Sequence, residues 1–379
     1  SRQSVLRGIM DKENNKILPL ESLRGVAAIA VALYHFKINS YFDVTFIKNS
    51  WLMVDLFFVL SGFVIALNYQ GRLHSIKSVC NFQIQRFLRL YPLHFIMLFV
   101  FLGIEILKYL FEVYFNLISN SGSFEKNNIT SFFANIFLLH NFIVEERTWN
   151  YPSWSVSAEF YTYLLFSVVV LFFKKAKFIL AFSFLIVIFS CIYLNMNEMV
   201  TAPMVGPVRC IFSFFIGLIC CNIFNHYRNS IKFKSSFPAA VFLLLCSMLM
   251  SMITINTYTK GAALVPILFA ATVLVLAFTS KHSYLSKILS NEKLVYLGTI
   301  SYGIYMIHAA VWYVINQLLR FVVAVPTKIT GEGTVIFIES RLASSLIIIL
   351  GMMLIILLAH LSYKYIETRF NSYRKEFVI

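Results

Sequence analysis

Arg24 and His35 stand eleven residues apart in LPLESLRGVAAIAVALYHF, the run from Leu18 to Phe36. Eleven positions at 3.6 residues per turn make about three turns, so on a helix both side chains leave one face, roughly 16 Å apart along the axis. The residues between them are mostly Ala, Val, Ile and Leu, which makes a cation and a titratable ring the two ends of one apolar stripe. Two carboxylates, Asp55 in WLMVDLFFVLSGF and Glu159 in YPSWSVSAEFYTYL, sit inside other apolar runs, where charge is costly and points to function. A carboxylate beside an imidazole fixes its tautomer and stabilises its protonated form, as deprotonating a hydroxyl requires. His35, Glu159 and Asp55 are therefore the candidate catalytic set. The competing reading of the two acids is a hydrogen bond to a neighbouring helix.

A second set is basic. Arg86 and Arg89, in QIQRFLRLYPLH, lie three apart and share a helix face. Two forked guanidiniums suit a phosphate or pyrophosphate, and Arg24 near the same depth makes a donor-binding set of three. Their plainer reading is a positive flank facing lipid headgroups. Ser61-Gly62 permits close helix approach, and LGTISYGIYMIH sets Ser301, Tyr305 and His308 along one face. Ser61, Tyr305 and His308 are the candidates for lining a polar cavity or stabilising an oxyanion. Ser301 and Tyr302 read better as interhelical hydrogen bonds, and Arg209 as an interfacial anchor. The six cysteines lie mostly within apolar runs without metal-ligand spacing, so they read as core thiols. No metal is expected.

These residues need elements that hold them in a membrane. Of 379 residues 59% are hydrophobic and 13% charged, against roughly 25% charged in a soluble protein. Several apolar runs approach or exceed the ~18 residues that begin to span a bilayer. Spans are expected at about 20–36, 51–69, 91–111, 154–173, 178–195, 208–225, 237–255, 262–279, 294–319 and 336–362. The expected fold is an all-α polytopic transmembrane helix bundle, because lipid-exposed backbone must satisfy itself and nothing alternates like barrel strands. Pro92 is expected in the first turn of the third span.

A shorter run, Ile129–Val144, is interrupted by Asn135, His140 and Asn141, and the positive-inside rule decides whether it spans. If it does not, and the N-terminus is cytoplasmic, 21 Lys and Arg lie inside and ten outside; if it does, the balance becomes 14 to 17. Ten spans with both termini cytoplasmic follow. Residues 112–153 become an extracytoplasmic segment that partly dips back. The net charge of +15 is then loop topology, with no nucleic acid as partner. Arg24, Arg86 and Arg89 fall towards the cytoplasm, whereas His35, Asp55 and Glu159 share a depth in the outer half. Residues 1–17 read as a cytoplasmic tail without a cleavable signal peptide, 1–9 of it an expression scar ahead of Met10. Residues 18–370 read as one transmembrane domain, and 371–379 as a second cytoplasmic tail.

Taken in order over about residues 18–370, LESLRGVAAIAVALYH, DLFFVLSGFVIA, RFLRLYP, PSWSVSAEFY and LGTISYGIYMIH resemble the acyltransferase-3 family. Its members are bacterial integral-membrane O-acyltransferases that modify surface carbohydrates. The resemblance implies that Arg24 and His35 are the family's essential pair, that Arg86 and Arg89 are its cytoplasmic arginine pair, and that Glu159 is the glutamate of its SxSxE stretch. It implies acetyl-CoA (acetyl-coenzyme A) as acyl donor, no metal, and a bacterial cytoplasmic (inner) membrane location. The implied acceptor is a hydroxyl of a lipid-linked or surface glycan, such as the O-antigen of lipopolysaccharide or another polysaccharide. The sequence departs from the family at YKYIETRF, which lacks the proline that often follows the terminal acidic residue, here Glu367. It also shows no appended soluble hydrolase-like domain, so transfer is expected to be direct or completed by a separate periplasmic partner. The rival class is a transporter or flippase of lipid-linked sugars, whose charges would line a path between broken helices. Arginines at one end and a His with acids at the other favour a two-substrate enzyme.

Overall fold

The computed structural model describes residues 17–116, 121–144, 146–196, 205–233, 237–255, 264–330, 333–377 and 379. The expectations for residues 1–16 lie outside the described residues. Among the described residues the regular structure is helical apart from one hairpin, β1 (Thr327–Thr330) and β2 (Gly333–Ile336), paired antiparallel with Thr327 opposite Ile336, and an isolated bridge between Phe233 and Thr279. The helices that matter for the site are α1 (Leu18–Tyr34), α2 (Met53–Tyr69), α3 (Ile76–Phe115), α4 (Ile129–Ile136), α5 (His140–Ile143), α6 (Trp154–Phe173), α7 (Ala176–Met196), α8 (Val205–Tyr227), α9 (Phe237–Ile255), α10 (Val265–Phe278), α11 (Glu292–Thr299), α12 (Ser301–Gln317) and α13 (Arg341–Ser362).

This is a polytopic helical membrane protein. Among the described residues 6 helices are long and apolar enough to cross a bilayer, and α11 with α12 and its extension makes up to 7, bent by 64° at the break. The other three expected spans coincide with α1, of 17 residues, with α9, apolar over Phe237–Leu249, and with the 14 residues of α10. These fall short of the ~20 residues that cross a hydrocarbon core unaided. The count of ten is therefore met only in part.

The third helix corrects its expected start. α3 runs unbroken for 40 residues, about 60 Å at 1.5 Å per residue and twice the ~30 Å hydrocarbon thickness. It begins at a Ser75/Ser78 capping box and holds Pro92 in its interior, not in its first turn. Polar and apolar residues recur at helical spacing through KSVCNFQIQRFLRL, so the lead-in is helix rather than loop and carries Arg86 and Arg89 with it. The interrupted run near Ile129 divides into the short helices α4 and α5, with Leu138 between them at φ 57°.

Close backbone approach sets the centre of the bundle. A Cβ on Gly62 of α2 would stand 1.9 Å from Phe214 O of α8, and one on Gly217 would stand 2.1 Å from Val59 O. Only glycine lets the two helices touch so closely. Gly298 of α11 meets the Glu21 carbonyl of α1 in the same way. Trp312 of α12 donates from Nε1 to Ala32 O at 2.7 Å, which joins α12 to the last turns of α1 beneath His35.

Candidate active site

His35 is the residue at which α1 ends, with φ −83°. Its Nδ1 lies 2.9 Å from Val31 O, one of the carbonyls a helix end leaves without an intrahelical partner, and 3.0 Å from Nε2 of His308. His308 is fully buried on α12 and has its own Nδ1 3.2 Å from Ile304 O. A carbonyl oxygen only accepts, so in both rings the proton sits on Nδ1. His308 Nε2 then accepts from His35, and His35 keeps its lone pair on Nε2. The two rings stack with centroids 4.9 Å apart, and Tyr151 lies 5.0 Å from His35. His35 opens on a cavity of about 470 Å³ whose walls include Trp51, Trp154, Trp312, Arg147 and Tyr305.

Neither carboxylate orients His35, contrary to expectation. Asp55, 1% exposed, is held at both oxygens by Arg209 of α8, with contacts of 2.6 to 3.0 Å, and receives the Ser213 hydroxyl at 3.2 Å. Arg209 is thus a buried partner of Asp55 and not an interfacial anchor. Glu159 accepts from Ser61 Oγ at 2.6 Å and from the Tyr163 hydroxyl. It lines a different, narrower cavity of about 80 Å³ that also takes in Arg24, Arg89 and Ser61. The shared depth read from span position is split by side-chain direction into two compartments.

The basic set is split as well. Arg24 and Arg89 line the narrow cavity. Arg86 is buried behind it, donating from Nη2 to the Tyr69 hydroxyl at 3.0 Å, with its guanidinium 5.1 Å from the Tyr69 ring centre. Val54 and Tyr305 line both cavities. The Tyr305 hydroxyl donates to Pro152 O at 2.9 Å and accepts from Ser155 Oγ at 2.8 Å. Its proton, like that of Ser61, is already committed. Tyr302 donates to Leu90 O, the interhelical role expected of it.

A profile of the acyltransferase domain matches residues 18–361, most of the chain. The chain belongs to the acyltransferase-3 family. It is similar to "Peptidoglycan O-acetyltransferase OatA" of Listeria monocytogenes, 27% identical over 327 residues that cover 78% of this chain and 49% of the relative. It is also similar to "Putative peptidoglycan O-acetyltransferase YrhL" of Bacillus subtilis, 26% identical over 380 residues, or 94% of this chain and 55% of the relative. The chain thus spans about half the length of these relatives. No solved structure matches it.

Within this acyltransferase domain, reasoning from the sequence missed three things. His308 stood among the cavity candidates, but its pairing with His35 joins residues 273 positions apart and no local pattern announces it. Arg209 was legible as an intramembrane cation, and a cation among apolar residues calls for a buried acid partner. Arg147 lies in the loop ahead of α6, where no periodicity states which wall a side chain will join.

Proposed function

We propose that this acyltransferase domain moves an acetyl group from cytoplasmic acetyl-CoA to a carbohydrate hydroxyl on the outer face of a bacterial cytoplasmic membrane, with His35 as general base. The observation that carries this reading is the pair of cavities sharing Val54 and Tyr305, with Arg24 and Arg89 in one and His35 in the other. A donor with phosphates at one end and a thioester at the other suits the forked guanidiniums of Arg24 and Arg89 in one cavity and the His35 imidazole in the other.

In this mechanism Arg24 and Arg89 hold the donor phosphates, and Arg86 supports them from behind through its field. The thin pantetheine arm passes Val54 and Tyr305. His35 Nε2 takes the proton of the acceptor hydroxyl as that oxygen attacks the thioester carbonyl. The C–S bond then breaks, and the thiolate leaves with the proton that His35 took up. His308, in the place expected of a carboxylate, keeps the His35 proton on Nδ1 so that Nε2 stays free to act. Tyr305, released from Pro152, is the candidate donor to the developing oxyanion. The acceptor, by analogy with the relatives, is a cell-surface polysaccharide or its lipid-linked precursor.

Two measurements test this. Coenzyme A should raise the melting temperature of the purified protein, and Arg24→Gln with Arg89→Gln should abolish that rise; a wild-type melt unmoved by saturating coenzyme A would favour a sugar flippase. His35→Ala should cut acetyl transfer about 10²- to 10⁴-fold, the usual worth of a general base, while the coenzyme A-induced rise persists. Transfer at the wild-type rate would remove His35 from the chemistry.

A further inference from the structure

The charge in the walls of the His35 cavity is one-sided. Arg147, Arg209 and Lys37 line it, and among the described residues no Asp or Glu does. The Asp55 carboxylate neutralises Arg209 from behind. Arg147 has no such partner: among the described residues its polar group meets no carboxylate, and its guanidinium lies 5.3 Å from the centre of the Trp154 ring. The same ring lies 5.9 Å from Arg209, so two cations flank one indole and a single acid serves them. Partial enclosure lowers the Arg147 pKa, and the nearby Arg209 lowers it further. An anion in the cavity would relieve both effects.

Much of the remaining wall is aromatic. Trp51, Trp154, Trp312, Tyr34 and Tyr151 all face the cavity. Flat rings of this kind pack against the C–H faces of sugar rings, and a pocket of several hundred cubic ångströms is a usual size for a small-ligand site. A neighbouring cavity of about 570 Å³ shares Tyr34, Lys37 and Ile336 with it and adds Lys48 and Lys328. Lys48 is paired with Asp43 at 3.1 Å, and Lys328 stands 3.3 Å from the centre of the Phe337 ring. Together the two cavities accommodate more than one sugar residue.

We propose that the His35 cavity binds a carbohydrate that carries an anion, a uronate-type carboxylate or a sugar phosphate, with the sugar ring packed on its tryptophans and the anion paired to the Arg147 guanidinium. This rests on the acyltransferase reading and narrows the acceptor to acidic glycans. The fork of Arg147 matches a carboxylate or phosphate in two parallel hydrogen bonds. His35 and Arg147 line the same cavity, so the reacting hydroxyl and the anion belong to one bound glycan.

The test uses the full-length protein in nanodiscs of uncharged lipid. Three tryptophans line the cavity, so intrinsic fluorescence reports its occupancy. Uronate trisaccharides of the glucose, galactose and mannose series are titrated against their neutral counterparts, with sugar 1-phosphates and inorganic phosphate as further arms. The acidic sugars should bind about tenfold or more tightly than the neutral ones at low salt, with the advantage shrinking as salt screens it. Arg147→Gln should remove that preference and Arg147→Lys should restore part of it, with wild-type melting curves for both. Equal binding of acidic and neutral sugars in every series, a preference that survives Arg147→Gln, or a response matched by inorganic phosphate alone would each overturn the proposal. If acidic sugars bind through Arg147 but gain no acetyl group from acetyl-CoA, the acceptor reading fails and the anionic-sugar site stands.

Discussion

An imidazole can serve as a base only through the nitrogen that lacks a proton, and in His35 two neighbours settle which one that is. His35 donates its single Nδ1–H, shared between Val31 O and His308 Nε2 as acceptors. His308→Gln keeps an acceptor in reach, whereas His308→Phe does not. The expected result is a fall in kcat of about tenfold for Phe, roughly the worth of one hydrogen bond, with KM unchanged and a smaller fall for Gln. Equal rates for the two variants would show that His308 only fills space. Asp55 and Arg209 lend themselves to a stability test. Arg209→Met leaves a buried carboxylate alone and should destabilise the protein by about 3–5 kcal/mol, while adding Asp55→Leu should recover most of that. Melts in detergent decide it, and a double variant no better than the single would mean that the pair contributes through packing alone.

At the level of helices, the site depends on how closely α2, α8 and α1 approach. Gly217 brings α8 onto Val59 O of α2, where a methyl group would need to stand 2.1 Å from an oxygen. Gly217→Ala should force the helices apart and cost about 1–3 kcal/mol, the usual price of overpacking. Because Asp55 and Arg209 bridge the same two helices, the ion pair should loosen too. A variant that melts with the wild type would mean that the helices have room to shift. Transferase activity measured alongside would show how far the His35 cavity tolerates such movement, since Val54 of α2 lines it.

At the level of the whole molecule, the proposed direction of transfer requires the amino-terminal end of α3, with Arg86 and Arg89, to face the cytoplasm. Cys80 is exposed on that end. In a single-cysteine variant that retains only Cys80, a membrane-impermeant maleimide should label inverted vesicles strongly and intact spheroplasts hardly at all. The opposite pattern would invert the orientation and place the arginine cavity on the outer side.

Much was legible before any folding was considered. Apolar runs longer than a bilayer needs, broken at Ile129–Val144, state a polytopic helical protein, because backbone in lipid has few ways to satisfy itself. Helical spacing put Arg24 and His35 about three turns apart on one helix, and close-packing glycine at position 62 was visible as Ser-Gly within an apolar run. What the order of residues left open was the partner of each polar side chain. Depth follows from position in a span, but direction follows from how one helix is rotated against its neighbours, and that depends on contacts far apart in the chain. So Asp55 turns to Arg209, 154 positions away, Glu159 turns to Ser61, and His35 is left to His308. Local spacing determined which groups enter the membrane; helix packing alone decided which of them meet.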